Sequence, residues 1–181
     1  MKPVIRQETI NGLLHLRGVD DPPGQPAGSG PAGLRLEHRL VINAPREAIW
    51  QVLANVAEWP RWSTLYPAAQ GELKEGAWLH ITIQVPGSPG VKSRAEVQTC
   101  VPGELLVFKS ISPLGELATG VRYFQIQATG DNTCVVTDGE VVGGAIGVGL
   151  ARVWPGHVYD GLRLMNEGLK TEAERLQSTM R

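Results

Sequence analysis

The 181-residue sequence has few cysteines, almost no net charge and no long apolar run, and each absence excludes a class of protein. Cys100 and Cys134 fall in strand-like stretches without metal-site spacing, so we expect free thiols, a cytoplasmic location and no metal. Lys and Arg number 17 against 18 Asp and Glu, which argues against a nucleic-acid partner. No apolar run reaches about 18 residues, so no membrane span is expected. The polar N-terminus is not typical of a secretory signal.

Familiar catalytic motifs are also missing. The sequence has no G-x-S-x-G, no nucleophile with an evident base and no glycine-rich phosphate loop. The glycine cluster at 143–149 lacks the phasing of a dinucleotide site, and we interpret it as a mobile lid between a strand and a helix. We therefore predict no cofactor.

The C-terminal stretch from Pro155 has the clearest pattern in the chain. Its apolar residues recur at steps of three and four and form one stripe of a long helix: Val158, Leu162, Met165, Leu169, Ala173 and Leu176. Gly161 and Gly168 flank this stripe and weaken the helix. They indicate either close packing against a sheet or space left for a ligand.

Composition divides the N-terminal 33 residues from the rest. Residues 1–19 contain two strand-like runs around Asn11-Gly12, which predicts a β-hairpin extension rather than a helix. Residues 20–33 are rich in proline and glycine, which predicts a flexible linker. We assign residues 34–181 to one ligand-binding domain.

That domain begins with one strand and continues with two short helices. Leu36, Leu40 and Ile42 alternate with polar residues, and Pro45 suits the start of the first helix. From Gly71 onward, apolar residues recur at every second position, which predicts five strands. Their predicted inner faces carry Leu79, Ile81, Ile83, Ala95, Val97, Thr99, Val101, Leu106, Phe108, Ser110, Gly120, Arg122, Phe124, Ile126, Val135, Thr137, Gly139 and Val141. The outer faces are polar. The fold class is therefore α+β: a curved antiparallel sheet wrapped around the long helix, enclosing a hollow.

Several segments resemble a known superfamily. The run from Val41 to Trp50, the Trp59-Pro60-Arg61-Trp62 element, the Val101-Pro102-Gly103 turn and Met165 to Lys170 resemble the START/Bet v 1-like (SRPBCC) superfamily, in particular its polyketide cyclase/dehydrase and lipid-transport branch. The resemblance covers roughly residues 34–176. It implies a helix-grip fold with an internal cavity, used by carriers, cyclases, hydrolases and co-chaperones.

Side-chain parity suggests which residues face such a cavity. Arg122 shares a face with Phe124, so it either holds a ligand oxygen or reaches a carboxylate or water near a strand end. Trp62 and Tyr66 are expected at the cavity mouth, with core packing as the alternative for Trp62. Thr137 and Ser110 either orient a ligand oxygen or bond to the backbone. The full predicted binding set is Trp62, Tyr66, Phe108, Arg122, Phe124, Thr137, Tyr159, Leu162 and Met165.

The four histidines do not form a cluster. His80 has outer-face parity, His15 belongs to the hairpin and His38 to the first strand of the domain. His157, at the start of the long helix, either touches the cavity mouth or is solvated.

Two functions fit this sequence. The first is binding of a hydrophobic or aromatic small molecule, polyketide- or lipid-like, by a monomer or weak dimer. The second is a polyketide cyclase/aromatase-type enzyme in the same cavity, since such chemistry needs confinement and an acid or base. A second inward-facing acid or base beside Arg122 would favour the enzyme, whereas an almost wholly apolar pocket would favour the carrier. A module that acts on another protein fits less well, because no large exposed apolar stripe is visible.

Overall fold

The computed structural model describes residues 5–10, 13–18, 34–111, 117–153 and 155–179. The predicted linker at 20–33 and the Asn11-Gly12 turn lie outside these residues. The strands are β1 (Ile5–Ile10), β2 (Leu13–Gly18), β3 (Leu34–Ile42), β4 (Ala68–Gln70), β5 (Trp78–Ile83), β6 (Val91–Val101), β7 (Leu105–Ile111), β8 (Thr119–Gly130) and β9 (Thr133–Gly143). The helices are α1 (Arg46–Ala54), α2 (Trp59–Trp62), α3 (Ala145–Val153) and α4 (Pro155–Thr179), with a 3₁₀ turn at Val56–Glu58.

The described strands form one sheet in the order β1-β2-β3-β9-β8-β7-β6-β5-β4. The seven strands from β3 to β4 pair antiparallel throughout, and with the long helix α4 they form the predicted helix-grip α+β fold. β1 and β2 pair antiparallel with each other, and β2 continues the sheet by pairing parallel with β3. The two N-terminal strands thus extend the edge at β3.

Helix α4 lies on the inner face of the sheet. Its Leu162, Met165, Leu169 and Ala173 are completely buried, as the apolar stripe predicted. Met165, Leu169 and Ala173 join the main core with residues of α1 and the sheet, whereas Leu162 packs with Leu34 and Leu36 of β3. Burial of each large apolar side chain stabilises the fold by about 1.5–3 kcal/mol.

The predicted inner face of β9 is wrong. Residues that pair directly across antiparallel strands share a face, and Ile126, Phe124 and Arg122 of β8 pair with Val136, Asp138 and Glu140. Val135, Thr137, Gly139 and Val141 therefore face outward, so Thr137 does not point at the helix. Alternation could not reveal this phase, because Val135, Thr137 and Val141 are also buried on the outer side.

The phase of β6 also changes part-way along the strand. A β-bulge between Val97 and Thr99 adds a residue, so Cys100 then pairs with Leu106 and packs against the core. Val101, predicted to face inward, is exposed.

Polar side chains on the outer side of β3 are buried, although we expected them in water. Arg35, Glu37 and Arg39 are each at most 4% exposed. Arg39 donates a 2.8 Å hydrogen bond to Glu37, which also accepts one from the hydroxyl of Tyr123 on β8. This ionic cluster compensates the cost of burying charge away from water.

Three local assignments differ from expectation. The second short helix, expected as a helix or turn at residues 63–67, is formed by Trp59–Trp62, and the residues after it lead into the short strand β4, which we did not predict. The 143–149 glycine cluster, interpreted as a lid, is mostly helical: Gly144 has a positive φ of 77°, and α3 starts at Ala145. A glycine tolerates that backbone conformation without strain.

Candidate functional site

A cavity of about 700 Å³ lies at one end of the grip, between the inner face of the sheet and the start of α4. Its wall is built by the ends of β5, β7 and β9, the starts of β6 and β8, the 85–89 loop, α3 and α4. Most of the lining is apolar: Ile83, Val85, Pro86, Pro89, Val91, Ala118, Val142 and Val158, with glycines at 87, 120 and 147. The polar lining groups are Ser88, Ser93, Ser110, Thr119, Glu140 and His157.

The carboxylate of Glu140 projects from β9 into a space left by a glycine. Gly120 lies on the adjacent strand β8 and also lines the cavity. A Cβ at position 120 would lie 2.5 Å from Oε1 of Glu140, closer than a side chain can approach. The absence of a side chain at Gly120 is therefore what lets Glu140 lie across the cavity wall.

Arg122 lies behind this wall and contacts two carboxylates. Its Nη2 donates a 2.7 Å hydrogen bond to Oδ2 of Asp138, and its Nη1 is 3.7 Å from Oε2 of Glu140. The guanidinium also lies 5.6 Å from the ring centre of Tyr66 and 5.4 Å from that of Phe124. Arg122 is only 3% exposed and is not part of the cavity wall. One cation therefore serves two acidic groups.

Burial and neighbouring charges change the pKa values of Asp138 and Arg122. The pKa of Asp138 is raised to about 7, because complete burial disfavours its charge and Glu140 adds repulsion, and these effects outweigh the attraction of Arg122. Burial lowers the pKa of Arg122, but Asp138, Tyr66 and Glu140 raise it further, so the guanidinium stays charged. Within the described part of the chain, Oδ1 of Asp138 has no hydrogen-bond partner. The Arg122–Asp138 pair thus combines a fixed positive charge with a carboxyl group that can hold a proton near neutrality.

A second buried polar contact joins β3 to α4. His38 pairs with Asp138 across β3 and β9, and its Nδ1 is 2.9 Å from Nδ2 of Asn166. Asn166 also donates to the His38 carbonyl, and the Tyr159 ring packs edge-on against the imidazole at 5.5 Å. Burial, with a smaller contribution from Arg163, lowers the pKa of His38 to about 4. The neutral imidazole therefore accepts a hydrogen bond that fixes α4 against the sheet.

The two glycines of α4 that flank the apolar stripe serve close packing. A Cβ at Gly168 would lie 2.0 Å from the carbonyl oxygen of Trp62, and one at Gly161 would lie 3.1 Å from Leu65. Trp62 occupies the space beside Gly168, so no room is left there for a ligand. Of the two explanations from the sequence, the structure favours packing.

None of the nine predicted binding residues lines the cavity. Thr137 faces the other side of the sheet. Trp62 packs against α4, and Tyr66 is buried beside Trp59, with ring centres 5.3 Å apart. The remaining six are buried: Phe108, Arg122, Phe124, Tyr159, Leu162 and Met165. Two of these contact the lining: Leu162 packs with Val142 and Val158, and Arg122 contacts Glu140.

Sequence reasoning missed Glu140, Asp138 and His38. The parity of Leu36 and Leu40 already placed His38 inward, so that signal was present. The carboxylates of β9 were hidden by the wrong phase of that strand, although a buried Arg122 demanded an acidic partner. His157 and Ser110, named as possible cavity groups, do line the cavity.

No group of three or more potential metal ligands occurs among the described residues. In the same part of the chain, no helix combines the length and apolar character needed to cross a membrane.

Comparison with known proteins gives one family and many similar folds. A family model described as "Polyketide cyclase / dehydrase and lipid transport" matches residues 34–177. No curated protein matches the sequence. Zhui aromatase/cyclase from Streptomyces sp. R1128 has a similar structure, with a TM-score of 0.62 and 14% identity over 78% of this chain and 93% of that one.

Two further structures share the fold. Norcoclaurine synthase from Thalictrum flavum has a TM-score of 0.63 and 16% identity, covering 83% of this chain and 99% of that one. A hypothetical protein from Helicobacter pylori has a TM-score of 0.67 and 12% identity, covering 77% and 87%.

Proposed function

Because this chain belongs to the polyketide cyclase/dehydrase and lipid-transport family, we propose that it binds a hydrophobic or aromatic small molecule in the cavity beside α4. The observation that carries the proposal is the cavity itself. Its volume of about 700 Å³ falls in the range of ligand sites, and its wall is mainly apolar with a few placed polar groups. The wall therefore suits a ligand with a large apolar body and one polar end.

Native mass spectrometry of protein purified from its own cells tests this proposal. We expect a fraction of the protein to carry one small apolar molecule. A variant with a filled cavity, Ser110→Phe, should carry none. Ser178→Phe, at an exposed position near the end of α4, is the matched control and should carry the same molecule as wild type. Wild-type protein that carries nothing, and takes up no apolar compound when incubated with one, would refute the proposal.

Cyclisation or dehydration of a poly-β-keto substrate is the second candidate, and one observation favours it. Glu140 lies in the cavity wall, with Arg122 and the proton-holding carboxyl of Asp138 directly behind it. An acid or base placed in this way contributes about 10²–10⁴-fold to a rate. If the protein is an enzyme, turnover of a synthetic poly-β-keto thioester should fall by about that factor in Glu140→Gln while the affinity changes far less. Absence of turnover in wild type leaves binding as the function.

A further inference from the structure

The charges around the cavity are unequal, and this bears on the ligand. Among the described residues that line it, Glu140 is the one carboxylate, and none is Lys or Arg. The cation nearest to Glu140 is Arg122, whose Nη2 is already engaged by Asp138 at 2.7 Å. A ligand in the cavity therefore contacts the negatively charged, hydrogen-bond-accepting carboxylate of Glu140. The positive guanidinium of Arg122 lies behind the cavity wall.

The position of that acceptor is fixed on two sides. Arg122 attracts Oε2 of Glu140 from behind, at 3.7 Å. On the other side, Oε1 occupies the space over Gly120 that any side chain would fill. Ser110 pairs with Gly120 across β7 and β8 and lines the same cavity, so a hydroxyl and the carboxylate belong to one wall. A carboxylate held between Arg122 and Gly120 suits a hydrogen-bond donor and repels an anion.

From this we infer that Glu140 binds the polar end of the ligand and that this end is a hydrogen-bond donor: a hydroxyl, a phenol or a protonated amine. Molecules that end in a carboxylate, such as free fatty acids, are excluded. The inference rests on the proposed function. Of the two alternatives that the sequence left open for Arg122, a ligand oxygen or a carboxylate, the contacts favour the carboxylate, because Asp138 and Glu140 engage that guanidinium. Glu140 is then the specificity residue, and Arg122 is a positioning residue that acts through it.

Three probes with the same naphthalene body test the inference: naphthylmethanol, naphthylmethylamine and naphthoic acid. Their affinities for the protein are measured by isothermal titration calorimetry at neutral pH, where the amine is protonated and the acid ionised. We expect the amine and the alcohol to bind at least about tenfold more tightly than the acid, since hydrogen bonds to charged groups change affinity by about tenfold to a hundredfold. This comparison in wild type needs no variant.

Variants at Glu140 identify the responsible group. Glu140→Gln keeps the shape and an accepting oxygen, so the alcohol should bind nearly as before while the preference for amine over acid falls about tenfold or more. Glu140→Asp keeps the charge and should retain most of the preference. Glu72→Gln removes the same charge at an exposed position outside the cavity and should change nothing.

The outcomes separate this inference from the proposed function. If none of the probes binds, the proposed function fails and the inference fails with it. If all bind but the acid is equal to or tighter than the amine, only the inference fails. It fails equally if Glu140→Gln leaves the wild-type preference intact.

Discussion

Arg122 and Asp138 form a buried ion pair across β8 and β9, with Nη2 donating a 2.7 Å hydrogen bond to Oδ2. Asp138 is completely buried, and within the described residues its other oxygen has no partner. The pair lies directly behind Glu140, the carboxylate of the cavity wall. The polar part of the site therefore extends from the cavity into the core, and changes to it affect both stability and binding.

Arg122→Met should destabilise the fold strongly. Methionine replaces much of the apolar stem, but it leaves Asp138 and Glu140 without their shared cation, and loss of one partner of a buried pair costs about 3–5 kcal/mol. Urea unfolding measures this loss. Arg94→Met, at an exposed position where the guanidinium lies 5.3 Å from the ring centre of Trp78, should change the free energy of unfolding by no more than about 1 kcal/mol. A loss for Arg122→Met as small as that of the control would contradict the account of the buried pair.

Asp138 and His38 should make opposite contributions to the pH dependence of stability. The folded-state pKa of Asp138 is raised from 3.8 to about 7, so its contribution is present below pH 3.8 and is lost as the pH rises through 7. The pKa of His38 is lowered from 6.5 to about 4, so its contribution is present above pH 6.5 and is lost as the pH falls through 4. Each changes stability by at most about 1.4 kcal/mol per pH unit, and the two slopes oppose each other.

Asp138→Asn removes the contribution that decreases with pH. Relative to wild type, the variant should therefore gain roughly 2–3 kcal/mol of stability as the pH is raised from about 4.5 to 6.5. Urea unfolding at several pH values in this window measures the difference. A variant that runs parallel to wild type across the window would mean that Asp138 is ionised in the fold throughout.

Gly168→Ala should destabilise the protein by about 1–3 kcal/mol or more, because the new methyl group would meet the carbonyl oxygen of Trp62. The same change at Gly156, also in α4, meets nothing within 4 Å and should stabilise the protein by about 0.4–1 kcal/mol through the unfolded chain. Thermal unfolding compares the two. Equal effects at both positions would show that α4 does not approach Trp62 closely.

Gly120→Ala should displace the carboxylate of Glu140 without removing its charge. A Cβ would lie 2.5 Å from Oε1, and the flexible end of the glutamate is what must shift. We expect the affinity for naphthylmethylamine to fall by about tenfold, roughly the contribution of one hydrogen bond to a charged group. Gly130→Ala, with its nearest neighbour at 4.0 Å, should bind the amine as wild type does. Unchanged affinity in Gly120→Ala would remove Gly120 from the site.

The helix-grip fold could be predicted because its main elements have one clear periodicity. The stripe from Leu162 to Ala173 admits only one buried face, and Leu106 and Phe108 follow the predicted alternation to complete burial. The inward-facing residues of β9 could not be predicted in this way. Val135 and Val136 are both buried, and in a strand that is covered on both sides the pattern of apolar residues does not show which face points inward.

The acidic residues of the site lie on β9, the strand whose inward-facing side was hardest to predict from the sequence. Asp138 and Glu140 belong to β9, so an error of one residue in its phase turned both carboxylates away from the cavity. The bulge after Val97 had the same effect on β6, and a bulge leaves no signal in alternation until the pairing is known. The volume of the cavity depends on how closely α4 approaches the sheet, which periodicity does not specify.

Calorimetric titration of naphthylmethanol into wild type, Ser110→Phe and Ser178→Phe tests the central claim most directly. If the cavity beside α4 is the binding site, wild type and Ser178→Phe should bind one molecule per chain with equal affinity. Ser110→Phe should bind none, because its ring fills the cavity that Ser110 and Glu140 line. Equal binding by Ser110→Phe, or no binding of any apolar probe by wild type, would contradict the account.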